Sequence, residues 1–122
     1  MTTKIQQDGK VIVYANSSGS TITSGSVVKM NNIVGIALAD IADGSSGAVQ
    51  IEGVVTGVAK VTGNAWTVGS KLVWDVSVSK FDTTAASLAT GDVTGCAVVF
   101  EAAASGDTTG VIKLTPGNTT VT

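Results

Sequence analysis

Short apolar runs rich in Val and Ile alternate along the chain with clusters of Gly, Ser, Asp and Asn, the pattern of strands joined by tight turns. The apolar runs predict strands near Val11–Tyr14, Val27–Met30, Ile33–Ala39, Ala48–Val61, Lys71–Val78, Gly95–Ala102 and Val111–Thr115. Turn residues separate them at Ser17-Ser18-Gly19, Ser24-Gly25, Asp43-Gly44, Thr62-Gly63-Asn64, Thr90-Gly91-Asp92, Ser105-Gly106-Asp107 and Pro116-Gly117. Thr83–Thr90 carries Ala85, Ala86, Leu88 and Ala89, which suit a short helical turn, but its threonines favour a loop. Residues 1–10 read as an extended polar arm with one apolar anchor, Ile5, and residues 116–122 as a flexible tail. The pattern therefore predicts an all-β chain with little or no helix, its single domain spanning residues 11–115.

The two halves of the chain echo each other. Ile22–Met30 aligns with Trp66–Trp74, Gly35–Leu38 with Gly95–Val98, and Gly47–Ile51 with Gly110–Leu114. Each unit reads as a Gly-bearing turn, a strand, a second strand, a loop and a closing strand. Two units are too few for a solenoid and predict one small β-barrel or β-sandwich built from similar strand–turn units.

Composition narrows the function more than the fold. At 122 residues the chain suits one domain, and folding would leave about 6,000 Å² of roughly 17,500 Å² exposed. Aromatics make up only 4%, so the core must be built from small side chains, and an oligomer would add burial. There is no His and, with all seven cations being Lys, no Arg. The usual neutral-pH base and the bidentate anion fork are thus both missing. The lysines are scattered and the formal net charge is −2, which argues against a nucleic-acid partner. No apolar run is long enough for a spanning helix, and Met1–Asp8 has no apolar signal stretch; the expectation is no membrane partner and synthesis in the cytosol.

The candidate chemistry is sparse. Asp40 and Asp43, in Ala39-Asp40-Ile41-Ala42-Asp43-Gly44, are the nearest approach to a carboxylate cluster, but Asp-Gly before a strand is ordinary turn chemistry. No loop matches a phosphate-binding glycine motif, and no Gly-x-Ser-x-Gly occurs. The lone Cys96 sits in Gly-Cys-Ala-Val-Val, a setting for a small buried hydrophobe. Trp74 shares a face with Val76 and Val78 by alternation and reads as core. Trp66 replaces Ile22 of the first unit and suits either the core or an interface anchor. No enzyme, cofactor or metal site is expected. Asn16-Ser17-Ser18 and Asn118-Thr119-Thr120 match a glycosylation sequon, an accident in a chain without a signal stretch.

The order of the pieces resembles the capsid cement, or head decoration, proteins of tailed bacteriophages. The resemblance is carried by Tyr14-Ala-Asn-Ser-Ser-Gly-Ser-Thr-Ile22, Ser24-Gly-Ser-Val-Val28, Val34-Gly-Ile-Ala-Leu-Ala-Asp-Ile-Ala-Asp-Gly44, Gly47–Val54, Leu72–Asp75, Gly95–Ala104 and Val111–Leu114. It covers roughly Gly9 to Leu114, and the Ser/Thr-rich stretch Ser77–Thr94 and the Thr-rich tail depart from it. It implies a structural virion protein on the outer surface of the expanded head, made in the bacterial host cytoplasm. It further implies a homotrimer that clamps neighbouring major capsid subunits, without catalytic residues. Thr2, Thr3, Lys4 and Ile5 of the arm, with Trp66, are the candidate capsid or subunit interface. The alternative reading is a β-sandwich adhesion or carbohydrate-binding module, which an exposed Trp66 would favour.

Overall fold

A computed structural model of the chain describes residues 9–83 and 88–122. Its ten strands are β1 (Val11–Ala15), β2 (Val27–Met30), β3 (Ile33–Ala37), β4 (Ser46–Gln50), β5 (Gly53–Ala59), β6 (Lys71–Asp75), β7 (Lys80–Thr83), β8 (Val93–Glu101), β9 (Thr109–Leu114) and β10 (Thr120–Val121). They form two antiparallel sheets, ordered β1-β4-β3-β2 and β5-β9-β8-β6-β7, with β10 added to β8. No helix occurs among the described residues. The fold is all-β.

The repeat read from the sequence is the repeat of the topology. Setting β5, β6, β8 and β9 against β1, β2, β3 and β4 gives the same strand order in both sheets. The connecting turns match bond for bond. Ser26 N donates to Thr23 O and Ser70 N to Thr67 O, while Gly25 N donates to Ala37 O and Gly69 N to Val99 O. Isolated bridges join Ile22 to Ile41 and Trp66 to Ala103. One alignment moves by two residues: Val28 pairs Gly35 whereas its counterpart Leu72 pairs Ala97. The counterpart of Gly35–Leu38 is therefore Ala97–Phe100. The displacement arises where the β6–β8 register jumps between Leu72 and Val73, which leaves Gly95-Cys96 as an inserted bulge. Gly95 sits there at φ +71°, and a Cβ would lie 2.2 Å from the Asn118 carbonyl oxygen.

The second sheet curls until its ends meet. Phe81 on β7 forms a parallel bridge with Lys60, just past β5, and Val61 N donates to Phe81 O at 2.9 Å. Inside lies the main core, with Val58, Trp66, Leu72, Trp74, Phe81, Val99, Ile112 and Leu114 buried. Val34 and Ile36 of the first sheet belong to the same cluster and join the two sheets. A smaller core of Val28, Ala37, Ile41 and Val49 lines the opposite face of the first sheet.

Several predicted elements change. The continuous apolar run Ala48–Val61 is two strands in different sheets, broken at Gly53, whose φ of +117° only glycine adopts without strain. Lys71–Val78 ends early because the chain turns at Val76–Ser79, so Trp74 is buried but Val78 is exposed. The expected tail is tied down instead, since β10 pairs with β8 and Thr122 N donates to Asp92 O. The expected loop around Thr83–Thr90 includes residues 84–87, which lie outside the described residues.

Candidate functional site

The candidate interface residues fare differently. Thr2, Thr3, Lys4 and Ile5 lie outside the described residues. The described chain starts at Gly9, and Ile51 N donates to Lys10 O at 2.9 Å, so the base of the arm is fixed beside β1, at one edge of the first sheet. Trp66 leaves the candidate interface and joins the core: it is 1% exposed and has no surface to offer a partner. The reason is Gly110 on β9, where a Cβ would stand 2.3 Å from Trp66 Cζ3. In the first unit the corresponding Gly47 makes the same room for Ile41. The bulk has changed sides of the bridge, from Ile41 opposite Ile22 to Trp66 opposite the small Ala103. With Trp74 also buried, neither indole forms the exposed platform that a carbohydrate site would use.

The polar groups that sequence reading singled out are engaged in holding loops. Asp40 Oδ1 accepts Ser24 N at 2.7 Å and Asp43 Oδ1 accepts Gly19 N at 3.0 Å. Asp75, Asp82, Asp92 and Asp107 likewise accept backbone N–H groups. Asp75 and Asp107 close their own turns, Asp40, Asp43 and Asp92 tie separate loops together, and Asp82 accepts Thr83 N within β7. Cys96 is buried, and desolvation pushes its thiol from 9.0 up to about 11, so it is a protonated thiol at neutral pH.

Two buried polar residues were missed, and the repeat alignment pairs them. Asn16 and Lys60 stand at the same distance before Ile22 and Trp66. Asn16 Nδ2 donates to the carbonyls of Ser20 and Ile41, and its Oδ1 accepts Ser18 N and Oγ. Lys60 Nζ donates to the carbonyls of Val61, Ser105 and Asp107 and lies 5.6 Å from the Trp66 ring centroid. Each gathers the loops at one end of its unit. A polar residue placed six before the first apolar turn residue in both units was the available signal.

The surface carries the remaining features. A groove of about 590 Å³ runs between the sheets, walled by Val27, Ile36, Val55 and Trp74, with no ionisable side chain in its lining. Exposed apolar residues include Val13 on β1, Val68 on the turn before β6, and Leu38 and its counterpart Phe100.

The family model described as phage cement protein matches residues 6–114. No curated protein and no solved structure matches the chain.

Proposed function

Because the chain belongs to the phage cement protein family, a family with a capsid-associated structural role, we propose that it binds the exterior of the expanded phage head and stabilises it by clamping neighbouring major capsid subunits. The observation that carries this reading is the family match across nearly the whole described fold. The engagement of every described Asp with backbone N–H groups supports it, because it gives those carboxylates a structural task. The clamp works by number and position: modest contacts repeated on a fixed lattice act at high effective concentration. Three copies joined as a homotrimer would multiply that effect and bury the apolar side chains that the single chain exposes.

In this reading the arm, residues 1–10, adds a strand to a capsid sheet edge. The exposure of Val13 on β1, the strand that follows the arm, supports a contact at this edge. The test is co-sedimentation with expanded and immature capsids of the encoding phage. Full-length chain pelleting with expanded heads only is the expected result, together with a trimer mass by light scattering. Equal binding to both head forms, or to neither, contradicts the proposal.

A further inference from the structure

Comparison of the two units shows that the first is one strand short. In the second, β7 pairs antiparallel with β6, from Leu72↔Thr83 to Asp75↔Lys80, and reaches the end of β5 through the Lys60–Phe81 bridge. Phe81 is fully buried there, its ring 4.9 Å from that of Trp74. The first unit has no such strand. β2, the counterpart of β6, turns directly into β3 at Asn31-Asn32 and, among the described residues, pairs with β3 alone.

The consequence is visible in burial at matching positions. Val58, Trp74 and Leu114 are 6%, 7% and 1% exposed, whereas their counterparts Tyr14, Met30 and Ile51 are only partly buried. The free edge of β2 also has its backbone groups turned outward. Ala37 N donates to Ser26 O, and the antiparallel alternation then directs the N–H and C=O of Val27 and Lys29 away from β3. Their counterparts, Lys71 and Val73, bracket the position where β7 docks, and Val73 pairs with Asp82.

We propose that the open face of the first unit is a strand-acceptor site. An extended segment of the major capsid protein adds antiparallel to β2, with a large apolar or aromatic side chain over Met30, in the place that β7 and Phe81 occupy in the second unit. This rests on the capsid-binding reading above. β7 serves as the template for the occupant: alternating side chains, one large and apolar facing inward, with main-chain bonds supplying register. A strand in this place runs parallel to β1, as β7 does to the end of β5.

Hydrogen exchange of the full chain, free and bound to expanded capsids, tests the site. The peptide spanning Val27–Met30 should exchange more slowly in the bound state, and Met30→Glu should weaken capsid binding at least about tenfold. The exchange measurement uses the unaltered chain, so it decides the matter even if the variant folds poorly. Capsid binding with unchanged exchange at Val27–Met30 overturns the strand-acceptor site and leaves the cement reading standing. Protection that grows with chain concentration in the absence of capsids identifies a second copy as the occupant and overturns the capsid segment. Failure of the unaltered chain to bind capsids at all overturns the cement reading and this site with it.

Discussion

Replacing Gly110 by Ala perturbs the contact that decides where Trp66 lies. The new Cβ would stand 2.3 Å from Trp66 Cζ3, 2.7 Å from Cε3 and 3.3 Å from Cη2. The indole has little freedom to move away. Its main chain is held by Trp66 N to Ala103 O at 2.8 Å and Ala103 N to Trp66 O at 3.1 Å, and Lys60 Nζ lies 5.6 Å from the ring centroid. Overpacking of this kind costs about 1–3 kcal/mol, and a rigid ring fixed at its backbone belongs at the upper end. Against it stands the smaller unfolded-state entropy of Ala, a gain of about 0.4–1 kcal/mol. The clash wins, leaving a net loss of about 2 kcal/mol, or roughly 8 °C in Tm for a domain of this size. Urea unfolding with unchanged m would measure it. In a Trp66→Leu background the same glycine change should cost far less, because the ring atoms it meets are gone. A Gly110→Ala variant as stable as the parent, or a penalty that persists without the indole, would refute the reasoning.

Other outcomes follow from the same contacts. Asn16→Ala should lose about 2–3 kcal/mol in denaturant unfolding, since it removes bonds to the carbonyls of Ser20 and Ile41 and to Ser18; Asn16→Asp should be worse, facing those same carbonyls with a carboxylate. Lys60→Met should cost about 2 kcal/mol by the same assay, because the carbonyls of Val61, Ser105 and Asp107 lose their donor. Cys96 should resist alkylation in the native chain and react on unfolding. With its thiol raised from 9.0 to about 11, the stability tied to that group is full below about pH 9 and falls between pH 9 and 11, as the unfolded state ionises first. Cys96→Ala should flatten that part of the pH–stability curve. Deleting residues 1–10 should abolish capsid binding with little change in unfolding midpoint, and unchanged binding would remove the arm from the proposal.

The repeat was legible because each unit spends its glycines and apolar residues at matching places: Gly25 and Gly69 in the turns, Gly47 and Gly110 under the large side chain. Strand alternation gave β1, β2 and the start of β3 nearly to the residue. β7 was not legible, since Lys80-Phe-Asp-Thr83 carries one apolar residue and its place comes from closing the curled sheet. The division of Ala48–Val61 was hidden for the opposite reason. Both flanking strands are apolar, and only the Gly53 dihedral reveals that the chain changes sheets there. The two-residue bulge at Gly95-Cys96 is not legible in the sequence because Gly95 imitates Gly35. Trp66 suits either core or interface in the sequence because the Gly110 that makes room for it lies on a distant strand, a tertiary contact that local pattern does not contain. The sequence shows Met30 aligned with Trp74 in the repeat, but the buried Phe81 that packs on Trp74 has no aligned partner in the first unit to reveal the difference.

The central claim, that this chain clamps an expanded phage head from outside, is tested most directly by cryo-electron microscopy of expanded capsids with and without the purified chain. The account predicts added density on the outer surface, bridging neighbouring major capsid subunits at every equivalent position. Density confined to a single subunit, density on the inner surface, or no added density at saturating chain would contradict it.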